Sequence, residues 1–510
     1  MNRLIVVSNR LPFALDSTGE DLWTVTPATG GLVSAIEPVL RERGGTWIGW
    51  PGIAGKIPQE PLTKATRNAG YQVVPVALSE AERDEFYYGY SNEVIWPLFH
   101  DLQNFCNFEP AYWQAYNQVN ERYADAIARC AQPDDFIWVH DYHLMCVAQA
   151  LRQRGVSPDL SRLTFFLHIP FPPYDIFSKL PQQQRLLHAL LQFDLLGFQT
   201  RRDVRNFMQC VRRVMLDAKI IPRRDLQLIR FEKREIRVGH FPIGIDFDSF
   251  ENGARSDTIA KKSQQLRDTF RGCQLILGSD RLDYSKGIPE RLRAFRTALE
   301  RHPELRGGVV LIQVVVPSRV EIPRYHEFKQ RIDRLVGDIN GRFSTSTWLP
   351  VQYHFRCLDR DDLLAHYRGC DIAFVTPLKD GMNLVAKEYC ACRIDSDGVL
   401  ILSQFAGAAE QLKPGALLVN PYDVEEMADA ILEAFRMNQA ERSTRMKRMR
   451  RIVRKENVFW WVDSFLRAGA KIASRSLRGV GKRRRSAALN TFRKTGQHQD
   501  RPLDTKKAIV

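Results

Sequence analysis

The chain has 510 residues, of which 44% are apolar and 26% are charged, an ordinary composition for a globular enzyme and a length that predicts about two domains. No apolar run approaches the roughly 18 residues that cross a bilayer, and the short apolar run at 4–7 does not fit a signal peptide, so we expect a cytoplasmic protein without membrane contact. Nine cysteines without CxxC spacing favour neither a disulfide framework nor a zinc site.

The net charge of +15 is concentrated at the end of the chain. Residues 471–510 hold 12 Lys or Arg against two Asp, and this composition predicts a basic, disordered tail. The tail is the one stretch that suggests nucleic acid, an acidic partner or a membrane surface, and a solvated extension is the simpler explanation. For the body of the protein we expect no nucleic-acid partner.

Short strands alternate with helices through the first half of the chain. The apolar run at 4–7 predicts a buried strand that leads to Arg10. Gly30 and Gly31 precede a predicted helix, where the backbone can approach a phosphate or a sugar closely, although a helix-entry turn explains the pair about as well. An aromatic cluster that includes Tyr87 and Trp96 suits either a wall against a sugar ring or an ordinary core.

Two predicted strands of this half end in polar residues. Asp141 follows the strand at 136–139, and His168 follows the strand at 163–167. Ligands of open α/β sheets bind outside the carboxyl ends of the strands, so both residues are candidates for a site. A hydrogen-bonded structural role is the better interpretation of a lone histidine. No histidine pairing here has metal-ligand spacing.

In the second half, predicted strands at 275–278 and 309–316 precede basic residues. Arg281 and Lys286 stand five residues apart on a loop that enters a helix, so both can face one diphosphate, with arginine offering a planar fork of donors and lysine a point charge. Arg319 follows the second strand. A solvated basic loop is the alternative interpretation of the pair.

The most informative stretch is 376–412, which follows a predicted strand at 371–375. A turn at 380–383 leads into a run of helix formers from Leu384. The first N–H groups of such a helix have no internal partner and carry partial positive charge, which predicts an anion site. Asp380 before the turn and Glu388 one helical turn beyond it could accept hydrogen bonds from sugar or ribose hydroxyls.

The stretch DGMNLVAKEY with LSQFAGAAEQL resembles the nucleotide-sugar site of glycosyltransferase family 20, whose best-known members make trehalose 6-phosphate. Further motifs of that family occur in its order over residues 1–465: VVSNR, GGL at 30–32, SNEVIWPLFH, IWVHDYHL, FFLHIPFP, LLGFQT and RLDYSKG. The resemblance implies the GT-B fold, in which two Rossmann-like α/β domains face each other across a cleft. The expected divisions are an acceptor-binding domain at 1–242, a nucleotide-sugar domain at 243–450, a helix at 451–470 that crosses back to the first domain, and the tail at 471–510.

The resemblance also implies UDP-glucose as the donor and glucose 6-phosphate as the acceptor, with no cofactor and no metal. The residues that it implies in catalysis are Arg281, Lys286, Asp141 and His168. Those that it implies in donor binding are Gly30, Gly31, Asp380, Gly381, Met382, Asn383, Leu384, Val385 and Glu388. Those that it implies in acceptor binding are Arg10, Tyr87, Trp96, Asp141 and Arg319.

In that family the anomeric configuration is retained through a front-face displacement, in which the departing phosphate oxygen accepts the proton of the attacking hydroxyl. The protein then contributes charge stabilisation and positioning. The sequences at 246–248 and 395–397 match the DxD metal motif of other glycosyltransferases, but we interpret both as turns. Helices are expected at about 424–437 and 440–468.

Several alternatives stay open at this point. Relatives with the same scaffold transfer glucose to glycerol 3-phosphate, and the variant sequence TPATGG at 26–31 departs from the trehalose branch. The motifs do not separate UDP from GDP or ADP as the donor nucleotide. A non-catalytic paralogue that binds sugar phosphates is a further alternative function. For assembly, a homo-oligomer is one of the open alternatives. A dehydrogenase is disfavoured because no GxGxxG follows a predicted strand.

Overall fold

The computed structural model of the chain describes residues 3–19, 22–27, 31–155, 162–223, 226–319 and 322–470. It contains a nine-stranded and a six-stranded sheet, with a separate two-stranded hairpin. The predicted tail at 471–510 and the predicted site residue Gly30 lie outside the described residues. No helix of the described ranges is both long enough and apolar enough to cross a membrane.

The first half of the chain builds the nine-stranded sheet and the hairpin. In chain order the strands are β1 (Leu4–Arg10), β2 (Phe13–Gly19), β3 (Leu22–Pro27), β4 (Thr46–Trp50), β5 (Gln72–Pro75), β6 (Phe136–His140), β7 (Leu163–Phe166), β8 (Leu195–Phe198), β9 (Lys219–Ile221), β10 (Gln227–Phe231) and β11 (Arg234–His240). The sheet order is β5-β4-β1-β6-β7-β8-β11-β10-β9. Its strands are parallel as far as β11, whereas β10 and β9 join by antiparallel pairing and were not predicted. The hairpin pairs β2 with β3.

The second half builds a fully parallel sheet from β12 (Gln274–Arg281), β13 (Val309–Val316), β14 (Val351–Phe355), β15 (Ile372–Val375), β16 (Val399–Ser403) and β17 (Leu417–Val419). Their order is β14-β13-β12-β15-β16-β17. In both sheets the order reverses beside the first strand of that half, which is the position where α/β folds bind ligands. The first seven residues of β13 are buried, as the continuous apolar run predicts for a strand covered on both faces.

Helices connect the strands in both halves. They are α1 (Gly31–Arg43), α2 (Gln59–Ala69), α3 (Glu80–Glu82), α4 (Trp96–Phe99), α5 (Pro110–Cys130), α6 (Val147–Gln153), α7 (Tyr174–Phe177), α8 (Gln183–Leu190), α9 (Arg201–Val214), α10 (Phe247–Arg255), α11 (Asp257–Thr269), α12 (Ile288–Arg301), α13 (Pro323–Phe343), α14 (Arg360–Gly369), α15 (Leu384–Cys392), α16 (Ala409–Leu412), α17 (Val424–Arg436) and α18 (Gln439–Lys455). A π-helix spans Arg83–Ile95, and 3₁₀ turns span Gln103–Phe105, Tyr284–Lys286 and Pro303–Leu305.

The chain returns to the first sheet through a helix at 458–470. The ring of Trp461 lies 4.9 Å from that of Trp138 on β6, and Phe465 stacks on the same tryptophan at 4.5 Å. The predicted single helix at 440–468 is wrong, because α18 ends at Lys455 and a new helix begins after Asn457. The Asn457 side chain accepts the Trp460 N–H at 3.0 Å, which is how asparagine starts a helix.

At this crossing the backbone of Asn457 packs directly on Gly244 of the connection between the halves. A Cβ on Gly244 would lie 2.3 Å from the carbonyl carbon of Asn457 and 2.4 Å from the carbonyl oxygen of Glu456. We therefore expect Gly244→Ala to lower the free energy of unfolding by about 1–3 kcal/mol, as other overpacking changes do. Urea denaturation measures this change.

The matched control for that experiment is Gly337→Ala within α13, where an added Cβ meets no atom within 4 Å. This change should be neutral or should stabilise the protein by up to about 1 kcal/mol, because alanine favours a helix more than glycine does. Equal effects of the two substitutions would contradict the close approach at the crossing.

Candidate active site

The carboxyl ends of both sheets carry polar residues, and these two edges face each other. Contacts across the gap join Trp96 to Asp283 and Tyr142 to Arg319. A third contact is backbone against backbone, since a Cβ on Gly381 would lie 2.0 Å from the carbonyl oxygen of His168. The sequence prediction of a cleft between the two sheets is therefore confirmed.

Arg319 lies at the centre of one group of contacts. Its Nη1 donates to Asp283 Oδ2 at 3.1 Å and to the Tyr325 hydroxyl at 2.7 Å, while Nη2 donates to the Tyr142 hydroxyl at 3.4 Å. The guanidinium also lies 4.5 Å from the centre of the Trp96 ring. Only 7% of the Arg319 side chain and 2% of the Asp283 side chain are exposed, so this is a buried ion pair.

The backbone of Arg319 has a φ of +51°, an uncommon conformation for a long side chain that surrounding contacts must maintain. Burial alone would lower the pKa of its guanidinium. The nearby oxygens of Tyr325, Tyr142, Asp283 and Tyr87 outweigh burial, so the pKa is raised above its ordinary value. Arg319 is therefore a fixed positive charge, held in one orientation where the two halves meet.

Arg10 lies beside the same region on the first sheet. Its guanidinium lies 4.1 Å from the centre of the Trp50 ring and 5.4 Å from the centre of the Tyr87 ring. Burial alone would raise the pKa of the Tyr87 phenol, but Arg319 and Arg10 together lower it below its usual value. Two guanidinium groups thus act on one phenol from different elements, an arrangement that suits a doubly charged phosphate.

Asp141 is the first residue after β6 and has a φ of +73°. Its Oδ1 accepts the backbone N–H of His168 at 3.2 Å, which links the ends of β6 and β7. Burial raises the pKa of this carboxyl to about 6, although backbone donors and Arg281 act in the opposite direction. The carboxyl is therefore ionised at neutral pH and titrates in the physiological range.

The hydrogen bonds of His168 define its tautomer. Gln199 Oε1 accepts the Ile243 N–H at 3.0 Å, so Gln199 Nε2 donates to His168 Nδ1 at 3.3 Å. The remaining nitrogen, Nε2, then carries the proton and donates to His140 Nδ1 at 3.2 Å. Burial lowers the pKa of His168 to about 3, which makes the ring neutral at physiological pH. A sugar hydroxyl that bonds to this ring would have to replace one of these partners.

Lys286 and Asp380 form the second ion pair of the cleft. Lys286 Nζ donates to Asp380 Oδ2 at 2.6 Å, and Asn383 Nδ2 donates to the same oxygen at 3.2 Å. Burial would raise the pKa of Asp380, but Lys286, His100 and Asn383 lower it overall, so the carboxyl is ionised. This pair fixes the turn that precedes α15.

The predicted turn and helix of the 376–412 stretch are confirmed. Asn383 caps α15 with a φ of +75°, and its side chain accepts the Ala386 N–H at 3.3 Å. Leu384 and Val385 open the helix and are half-buried, and Met382 is buried beside them. The first N–H groups of the helix have no partner within it, as an anion site requires.

Glu388 lies one turn further along α15, and its Oε2 accepts the Tyr367 hydroxyl at 2.8 Å. Burial raises the pKa of this carboxyl, while the Tyr367 hydrogen bond opposes the shift. The same helix therefore carries donors at its start and a carboxyl acceptor four residues later.

Arg281 ends β12 and differs from the other cations of the cleft. Its side chain is exposed and forms no ion pair or side-chain hydrogen bond with any described residue. Its charge nevertheless acts on Asp141, Asp283 and Tyr87. All its donors are therefore available to a ligand at the junction of the two sheets.

Gly31, the second glycine of the predicted donor loop, is the first residue of α1, and Gly30 lies outside the described residues. The turn predicted at 246–248 is wrong, because Asp246 accepts the Ser249 N–H at 3.0 Å and caps α10. Asp395 and Asp397 pair with arginines. Within the described ranges no group of three His, Cys, Asp or Glu could hold a metal ion.

Several residues of the site were not assigned from sequence. Asp283 bonds Arg319 and Trp96, Gln199 orients His168, and both Tyr142 and Tyr325 bond Arg319. Asp283 belongs to the RLDYSKG motif, but nothing in the sequence indicates that it pairs with Arg319, 36 residues further along the chain. Tyr325 lies within α13, and no sequence motif marks it as a residue of the site.

Comparison with known proteins is consistent with this geometry. The model of glycosyltransferase family 20 matches residues 2–471. The 56 kDa subunit of the UDP-forming α,α-trehalose-phosphate synthase of Saccharomyces cerevisiae is 38% identical over 470 residues, which cover 91% of this chain and 93% of the yeast protein.

Two solved structures are similar over the same length. The UDP-forming α,α-trehalose-phosphate synthase of Burkholderia xenovorans in complex with glucose 6-phosphate has a TM-score of 0.82 at 36% identity, covering 92% of this chain and 100% of its own. An Escherichia coli structure with UDP-2-fluoro glucose bound has a TM-score of 0.81 at 36% identity, covering 92% of this chain and 99% of its own.

Proposed function

The chain belongs to glycosyltransferase family 20, and from that premise we propose that it transfers glucose from UDP-glucose to glucose 6-phosphate, giving α,α-trehalose 6-phosphate and UDP with retention of the anomeric configuration. The observation that carries the proposal is the convergence of four cations (Arg10, Arg281, Lys286 and Arg319) at the carboxyl edges of two facing sheets. Two substrates that both carry phosphate need such a set. The relatives with bound glucose 6-phosphate and bound UDP-sugar support the same pair of substrates.

On the donor side, Arg281 and Lys286 would bind the diphosphate, assisted by the free N–H groups at the start of α15, where Met382, Leu384 and Val385 lie. Glu388 would accept the ribose hydroxyls. Asp380 and His168 would bind hydroxyls of the glucose ring, and Gly381 would assist by letting the turn pack directly on the His168 backbone. Gly30 and Gly31 would close over the donor.

On the acceptor side, Arg10 and Arg319 would bind the phosphate of glucose 6-phosphate, and Tyr87 and Trp96 would line its pocket. The lowered pKa of Tyr87 reflects the positive field at this position. Asp141 would accept a hydrogen bond from an acceptor hydroxyl, since its carboxylate faces the same field.

For the reaction, negative charge grows on the UDP oxygen as the glycosidic bond lengthens. Arg281 and Lys286 would stabilise that charge, and the fixed acceptor would present its hydroxyl on the same face of the sugar. The departing phosphate oxygen would accept the hydroxyl proton. We propose no metal in this scheme, because the cations of the protein already offset the charge.

Further proposals concern the whole molecule. The first sheet ends at His240 and the second begins at Gln274, which supports the proposed limit between domains 1–242 and 243–450. The limit proposed at 451 falls within α18, and the helix that crosses back begins after Asn457. All nine cysteines are free, which supports a reducing cytoplasmic compartment. Any contact with nucleic acid would involve the basic sequence at 471–510, and assembly into a homo-oligomer is compatible with this function.

The decisive experiment measures UDP release from UDP-glucose with glucose 6-phosphate, with glycerol 3-phosphate and without acceptor. Release that depends on glucose 6-phosphate, with an α,α-1,1-linked product by NMR, is the expected result. Release only with glycerol 3-phosphate would show that the proposed acceptor is wrong, while the proposed donor site would stand. If the protein bound UDP but released no nucleoside diphosphate from UDP-, GDP- or ADP-glucose, the result would favour a non-catalytic paralogue.

The pH dependence of acceptor binding tests Asp141. Its pKa is raised to about 6, so the carboxylate that binds the acceptor is lost as pH falls through 6. The KM for glucose 6-phosphate should rise about tenfold between pH 7 and pH 5, because only about a tenth of the carboxyl is ionised one unit below its pKa.

The acceptor phosphate also titrates near pH 6, so Asp141→Asn is the control. This variant should have a higher KM at neutral pH and a flatter pH profile that reports the phosphate alone. An unchanged profile in Asp141→Asn would contradict the assignment of the titration to this carboxyl.

A further inference from the structure

Helix α18 carries an unusual concentration of positive charge outside the cleft. Its 17 residues include eight Lys or Arg and one Glu. Five of these cations, together with Ser396, line a cavity of about 480 Å³: Lys447, Arg450, Arg451, Arg454 and Lys455.

Some of this charge is compensated within the protein. Glu251 accepts from Arg450 at 2.5 Å and from Arg454 at 2.7 Å. Asp395 and Asp397, on either side of Ser396, are occupied by Arg393 and Arg442.

Lys447, Arg451 and Lys455 form no ion pair with any residue of the described ranges, and all three are exposed. They stand at i, i+4 and i+8, which places them on one face of the helix over about 12 Å. Like charges at this spacing destabilise a helix. A row of three such charges beside a concave surface is the arrangement that a bound anion would stabilise.

The cavity is separate from the cleft. Arg450 donates to the carbonyl oxygens of Cys390 and Ala391 at 2.7 and 2.6 Å, and so caps the C-terminal end of α15. The nucleotide-sugar turn lies at the opposite end of this helix, about 13 Å away along its axis. Arg450 also neutralises the carbonyl groups that would otherwise repel an anion at a helix C-terminus.

We propose that this cavity binds a small molecule with several phosphate groups, such as an inorganic polyphosphate or a nucleoside triphosphate, at a site distinct from the active site. The row of Lys447, Arg451 and Lys455 matches a chain of phosphates, and the Ser396 hydroxyl offers a further hydrogen bond. The three cations span only about 12 Å along the helix, a length that suits a short chain of phosphates better than an extended nucleic-acid strand.

The test uses the full chain and inorganic tripolyphosphate, with hydrogen-exchange mass spectrometry as a local readout. The test variant is Lys447→Gln/Arg451→Gln/Lys455→Gln. The charge-matched control is Lys64→Gln/Arg129→Gln/Lys261→Gln, which removes three exposed cations that lack ion pairs within the described part of the chain. Glutamine preserves helix propensity in both variants.

Tripolyphosphate should slow exchange in peptides covering 393–398 and 439–455 of the wild type and the control. In the test variant the concentration that gives half-maximal protection should rise about tenfold or more, because three charge-assisted contacts are lost. Equal protection in the test variant, or an equal loss in the control, would overturn the proposal. ATP in place of tripolyphosphate identifies the source of the phosphates, and protection only by a single-stranded oligonucleotide would also overturn it.

Discussion

Replacing Arg281 with alanine is expected to lower the turnover number by about 10²- to 10³-fold, the usual loss when one donor to a developing negative charge is removed, while the protein stays folded. Arg281 is exposed and makes no ion pair with the described residues, so its removal leaves no buried charge without a partner. Lys286 remains in place but is shared with Asp380. The effect should therefore appear in turnover more than in stability.

Steady-state kinetics with both substrates, together with thermal denaturation, measures the two quantities. Arg129→Ala is the control, since it removes an exposed arginine of α5 that has no ion pair in the described ranges. Arg281→Lys should recover part of the turnover, because a point charge replaces the planar fork. Normal turnover in Arg281→Ala would refute its role at the diphosphate.

The parts of the fold that the sequence predicted follow from local pattern. Apolar runs such as 309–316 predicted buried strands, and the polar residues just beyond them were predicted at the site because parallel strands end at the same edge of a sheet. Asp141, His168, Arg281 and Arg319 all lie at the two facing edges for this reason. The helix start at Asn383 and Leu384 was predicted from the turn residues that precede it.

The parts that could not be predicted depend on contacts between distant segments. Lys286 and Asp380 are 94 residues apart, and Tyr142 and Arg319 are 177 residues apart. Periodicity and motif spacing indicate only local structure, so they do not predict these pairs. The break after Lys455 arises because the chain must turn toward Gly244 to return to the first sheet. The π-helix at Arg83–Ile95 has no composition of its own that separates it from an α-helix.

Replacing Arg319 with alanine is expected to raise the KM for glucose 6-phosphate by about 10²-fold or more, since a charge-assisted contact with a phosphate is lost, with a smaller change in the affinity for UDP. The side chain is held by Asp283, Tyr325 and Tyr142, yet a guanidinium has five N–H donors and keeps some for a ligand. The substitution also leaves Asp283 buried at 2% exposure without its partner. A loss of about 3–5 kcal/mol in the free energy of unfolding should therefore accompany the kinetic change.

The double variant Arg319→Ala/Asp283→Asn separates these two effects. It removes the buried charge, so the free energy of unfolding should recover in large part, because a neutral amide costs less to bury than an unpaired carboxylate. The KM for glucose 6-phosphate should stay high, because the phosphate still lacks its arginine. If acceptor binding recovered together with stability, Arg319 would be a structural residue of the cleft. If only UDP binding were weakened, Arg319 would belong to the donor site. A high KM in a stable double variant assigns Arg319 to the acceptor phosphate.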